Sequence, residues 1–159
     1  MKKYLVFTGK FTVIHIVTYF IAGALAYPLL TKQFYVGSNP VFSSFMVTQN
    51  DTELWANVMK WILHGQFIRG ILMALALYPF CDILRNWKYL KRFLTITSIY
   101  VIFGFWAGAV VAPGTIDGLI YMRPEISTYS HIMVQPEIVG QRLLLGLWFA
   151  WWIKPEQYK

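Results

Sequence analysis

Four stretches of this chain, residues 11–30, 58–79, 93–113 and 137–153, are apolar for close to the length a helix needs to cross a bilayer. Two of them contain an arginine, Arg69 and Arg142. A guanidinium in hydrocarbon costs about 2.5–3.5 kcal/mol even on lenient insertion scales, so it turns toward a partner or a wet cavity. A chain with this pattern has few folds open to it. In lipid every backbone polar group must be satisfied within the chain, which leaves helices for segments of this length. The expected fold is therefore an all-α integral membrane protein, a single four-helix transmembrane domain over residues 1–159. The fourth span needs its polar first turn, since the purely apolar run 143–153 is too short alone.

Composition agrees. Only 13% of residues are charged, against about 25% in a soluble domain, and the mean hydropathy is +0.50. Seven tryptophans and ten tyrosines suit a protein with two membrane–water interfaces. The pI near 9.6 does not signal nucleic acid, because the basic residues sort by membrane side. Lys2, Lys3 and Lys10 precede the first span; Arg85, Lys88, Lys91 and Arg92 fill the link between the second and third; Lys154 and Lys159 follow the fourth. The two longer loops hold Lys32 and Arg123, and Lys60 opens the second span. This asymmetry places both termini in the cytoplasm and the chain in a cell (plasma or inner) membrane. The lysines and Ala24-Leu25-Ala26 imitate a signal peptide, but the segment reads as a retained first span.

An internal repeat runs through the spans. Phe20, Ala22-Gly23-Ala24 and Pro28 match Phe105, Ala107-Gly108-Ala109 and Pro113 without a gap. Gly70, Ala74 and Pro79 stand at the same spacing as Gly146, Ala150 and Pro155. The implied unit is helix, external loop, helix, used twice in one orientation.

The candidate site lies in the outer half of the second and fourth spans. Gln66, Arg69, Gly70 and Met73 share one helical face, with His64 offset; Glu137 and Gln141 stack at i, i+4 beside Arg142. Cations and amides in that pattern suit an anionic or polar ligand, such as a lipid headgroup or a quinone. The energetic argument turns Arg69 inward, toward Glu137, Gln141 or Gln66. Haem is disfavoured: His64 and His131 are the two histidines nearest one depth, and His131 falls in a loop. His15 reads as a helix–helix hydrogen bond. Cys81 stands alone, so no disulfide or thiolate metal cluster can form within the chain. No paired carboxylates or nucleophile–base pair occur, and the chain leans away from an enzyme. The expected role is a non-catalytic accessory or binding subunit of a membrane complex, in contact with lipid and with other membrane chains or copies of itself. The alternative is a small-molecule or lipid binder or transporter that uses an outward-facing pocket around Arg69 and Arg142.

Overall fold

The computed structural model describes residues 2–123, 126 and 128–153; Glu125, Lys154, Pro155 and Lys159 lie outside the described residues. Every regular element among those described is helical. Helix α1 (Lys2–Ala26) runs through a π turn (Tyr27–Thr31) into α2 (Lys32–Tyr35). The π turn falls on Pro28. Proline has no N–H to give the preceding turn and its ring pushes the carbonyl aside, so one wider turn accommodates it without ending the helix. Helix α3 (Thr52–Leu77) starts where the Asp51 carboxylate accepts the Leu54 N–H at 3.0 Å. It passes through a 3₁₀ turn at Tyr78–Phe80 into α4 (Cys81–Asn86). Helix α5 (Tyr89–Ser98) widens into a π-helix (Ile99–Trp106). Short helices α6 (Ile116–Tyr121) and α7 (Thr128–Met133) lead to α8 (Gln135–Trp152). Two of these runs, Lys3–Tyr35 and Thr52–Asn86, are long and apolar enough to cross a membrane.

The third apolar stretch departs from expectation. Its helix stops at Trp106, and residues 107–113 form turns and extended chain. The sequence supplies the reason. Val110-Val111 is β-branched, Pro113 disfavours the helical region at Ala112, and Gly114 takes φ +90°. The freed backbone groups are satisfied from nearby. The Thr115 hydroxyl lies within hydrogen-bond reach of the Val110 and Ala112 carbonyls, at 2.8 and 2.9 Å, and accepts the Gly118 N–H at 2.9 Å. Gln135 Nε2 donates to the Gly114 carbonyl at 2.9 Å. The Gly114 N–H donates to His131 Nδ1, also at 2.9 Å.

Helix α1 packs on both α3 and α8, and α5 packs on α8. One apolar core joins all four, with Phe11, Ala74, Ile96, Leu145, Phe149 and Ala150 fully buried. Two crossings depend on glycine. A Cβ on Gly70 would lie 2.9 Å from Thr12 Cγ2 and 3.0 Å from Thr12 Cα. A Cβ on Gly146 would overlap the Thr97 hydroxyl. Missing side chains let these backbones approach closely. A second apolar cluster of Phe34, Phe42, Ile126 and Val134 ties the two longer loops into a cap over one end.

Candidate functional site: two chambers beside Tyr19

At the centre of the bundle a hydrogen-bonded chain crosses three helices. Arg142 donates to Gln141 Oε1, which leaves the Gln141 amide nitrogen facing His15. Gln141 Nε2 and His15 Nδ1 are 3.3 Å apart, and His15 Nε2 and Gln66 Oε1 are 3.2 Å apart. Since Gln141 donates, Nδ1 accepts and Nε2 carries the proton, which it gives to Gln66. Gln66 Oε1 also takes a long contact from Arg69 Nη1 at 3.5 Å. His15 is fully buried and Gln66 and Gln141 nearly so, at 5% exposure each. Both ring nitrogens of His15 are thereby engaged, and the histidine joins α1, α3 and α8 as the helix–helix contact expected of it.

Both arginines reach a cavity of about 440 Å³. Tyr19, Met73, Tyr100 and Ile138 supply side-chain walls, and Gly104, Gly108 and Ala112 bring the π-helix and the unwound segment to its edge. The unwinding of residues 107–113 is what makes this wall. Arg142 is 9% exposed and its Nε has no hydrogen-bond partner among the described residues. Arg69 is exposed, and among the described residues its hydrogen-bond partner is Gln66. Among the described residues neither arginine has a carboxylate partner, and no carboxylate lines the cavity.

Glu137 is elsewhere, which corrects its expected place beside Arg69. Its Oε2 accepts from Thr31 Oγ1 at 3.4 Å, and it lines a second chamber of about 620 Å³. Tyr19 borders both chambers. The reason is helical geometry: Glu137 and Arg142 are five residues apart on α8 and project from different faces. Gln141, one turn on from Glu137, lines the first chamber and bonds with Arg142 and His15. His64 also stands apart, exposed on α3 with Nδ1 3.1 Å from the Lys60 carbonyl.

His131 is buried in the cap beneath Gly114. Burial pushes its pKa below the ordinary 6.5, with a backbone contact at Ile126 opposing the shift. The residues the sequence reading missed are Tyr19 and Thr115. Of these, Thr115 was legible in principle as the N-cap before Ile116. Among the described residues no group of three or more His, Cys, Asp or Glu side chains is placed to hold a metal ion. Comparison with protein-family models, with curated proteins and with solved structures returns no match.

Proposed function

We propose that this is a four-span, non-catalytic membrane protein that binds a small anionic or polar amphiphile in the chamber of Arg69 and Arg142. The observation that carries the proposal is the state of Arg142: a buried guanidinium with an orphan Nε, no carboxylate partner among the described residues, and a second arginine on the same cavity. Leaving a charge buried without a counterion costs several kcal/mol. An anion between the two arginines removes that cost and screens their mutual repulsion. A volume near 440 Å³ falls in the range of small-molecule pockets.

The membrane assignment draws on surface character. Only 28% of residues in the most apolar windows of Lys3–Tyr35 and Thr52–Asn86 are buried within the chain, whereas a core helix of a soluble protein would be mostly covered. Val13, Leu72 and Phe103 are 60%, 60% and 72% exposed. Helices α5 with its π extension and α8 supply the third and fourth spans in this reading. The basic end, with Lys10 stacked on Trp152 and Lys91 on Trp87, faces the cytoplasm. Tandem duplication is supported by the crossings. Thr12 and Thr97 are separated by the same distance in sequence as Phe20 and Phe105, and the glycines that meet them are the aligned Gly70 and Gly146. The exposed apolar faces equally suit an accessory role beside another membrane chain.

The test is native mass spectrometry of the purified protein through graded delipidation, followed by back-titration with anionic and zwitterionic lipids and with inorganic phosphate. Wild type should retain an anionic species that Arg142→Gln and Arg69→Gln lose. Equal retention by all three proteins would overturn the proposal. Phosphate binding without lipid binding would assign the site to a free anion.

A further inference from the structure

The second chamber differs from the first in every property that selects a ligand. Tyr19, Tyr27, Tyr35, Trp55 and Phe20 bring five aromatic rings to its wall, and Glu137 brings a carboxylate. Among the described residues no Lys, Arg or His and no second carboxylate lines it. Tyr27 is held in place by donating its hydroxyl to Gln49 Oε1 at 2.7 Å, and its ring lies 5.8 Å from that of Tyr35, tilted by 59°. Glu137 uses Oε2 on Thr31, while Oε1 has no donor among the described residues. Next to Oε1 stands Gly23, whose missing side chain leaves the approach to the carboxylate open; an added Cβ would stand in contact with Oε1, at 3.8 Å.

Aromatic rings attract cations through their quadrupoles, most strongly where water is excluded, and they recognise bulky ammonium groups that hydrogen-bonding sites do not. One carboxylate in such a wall adds direct charge attraction in a medium of low effective dielectric. An anion would meet the opposite field on both counts. We propose that this chamber is a distinct binding site for an amphipathic organic cation, its charge held by Glu137 and its apolar body by the Tyr27, Tyr35 and Trp55 rings. At about 620 Å³ the chamber has room for a ligand of that kind. The proposal does not rest on the arginine chamber. The two sites face different charges, and either can be occupied without the other.

Tetraphenylphosphonium and tetraphenylborate give a direct test, because they share shape and differ in charge sign. Equilibrium binding of radiolabelled tetraphenylphosphonium to the full-length protein in detergent should saturate. Glu137→Gln should weaken it about tenfold or more. Trp55→Ala, at a half-buried position that the core does not need, should weaken it about threefold. Arg142→Gln should leave it unchanged, and tetraphenylborate should not compete. Unchanged affinity in both Glu137→Gln and Trp55→Ala would overturn the site. So would equal competition by tetraphenylborate, which would mean that the chamber reads apolar bulk alone. Loss of binding in Arg142→Gln to the same degree as in Glu137→Gln would also overturn it, by merging the two chambers into one.

Discussion

The pair formed by α1 and α3 and the pair formed by α5 and α8 use the same device at their crossing and opposite devices at their capped ends. In each crossing a glycine lies on a threonine, Gly70 on Thr12 and Gly146 on Thr97. Both threonine hydroxyls are buried without a hydrogen-bond partner among the described residues. Aligned neighbours are buried alike: Phe11 with Ile96, and Ala74 with Ala150, all fully inaccessible. Toward the cap the likeness stops. Ala22-Gly23-Ala24 is helical, whereas Ala107-Gly108-Ala109 is not. The same triplet takes two conformations because its context differs. Pro28 is absorbed by a π turn, while Pro113 is followed by Gly114 in the left-handed region and by the Thr115 cap. The difference teaches that the scaffold and the chambers are separable. The crossings hold the bundle, and the divergent ends give the two chambers different walls.

The largest effect is expected where the unwound end is locked. Gly118 sits so close beneath the Ala112 carbonyl that an added Cβ would overlap its oxygen. The obstacle is the Ala112 backbone, which has no side-chain rotation by which to move away. We predict that Gly118→Ala destabilises by about 3 kcal/mol, at the upper end of overpacking costs. Thermal unfolding in detergent should show it, together with loss of anion retention by the arginine chamber. A loss below about 0.5 kcal/mol would mean that the unwound end is loosely held and that the contrast between the two ends is not built into the packing.

Next come the crossings, where the two pairs should behave alike in one respect and differ in another. Gly70→Ala and Gly146→Ala should each cost about 1–3 kcal/mol. The obstacle at Gly146 is a side-chain hydroxyl, so Thr97→Ala should rescue Gly146→Ala largely. At Gly70 the Thr12 Cα lies 3.0 Å from the added atom, so Thr12→Ala should rescue Gly70→Ala only in part. Rescue of equal size in both pairs would argue for closer equivalence than the contacts imply.

These two predictions also show which parts were readable in the chain beforehand. Apolar length was enough for the helices, because it follows from local composition. The spacing shared by Gly70 and Gly146 pointed to equivalent positions, and close backbone approach is what glycine there supplies. The chambers were harder. Helical periodicity could group Gln66 with Arg69 and Gln141 with Glu137, yet the meeting point of the two glutamines, His15, lies on a third helix, and periodicity within one helix cannot register two others against it. Glu137 was expected beside Arg69 because opposite charges attract, whereas the turn of α8 sends Glu137 and Arg142 into different chambers. The end of the third helix was overrun because its apolar residues persist to Ala112; hydropathy does not distinguish apolar helix from apolar chain that lines a cavity.

A smaller effect is expected in the cap. His131 accepts the Gly114 N–H through Nδ1, which requires the neutral ring. Its pKa is lowered by burial from 6.5, so the unfolded chain binds this proton more readily than the folded one. Its contribution is therefore complete above about pH 6.5 and is lost as pH falls through the lowered folded value. His131→Asn offers an acceptor that does not titrate. The stability of wild type relative to this variant should fall by about 1 kcal/mol or less between pH 7 and pH 5. A constant difference over that range would show that His131 stays neutral or that its protonation is tolerated, and the unwound end would then lack its acid-sensitive tie.

The smallest change in stability is expected at the triplet in its helical form, and there it isolates function from folding. Gly23 has nothing closer than Glu137 Oε1, at 3.8 Å from an added Cβ, which is ordinary contact. Alanine is better than glycine inside a helix by roughly 0.5–1 kcal/mol, so Gly23→Ala should be neutral to slightly stabilising. Its methyl group, however, stands beside the open oxygen of Glu137, on the path a cation takes to reach the carboxylate. Tetraphenylphosphonium affinity should therefore fall about threefold, a shift of about 0.65 kcal/mol, while the melting temperature holds or rises. Gly108→Ala, its sequence counterpart on the arginine chamber, should leave tetraphenylphosphonium binding untouched, since Gly108 lines the first chamber and not the second. Equal responses at the two glycines would erase the distinction between the ends, because a methyl group added to one chamber would then be felt in the other.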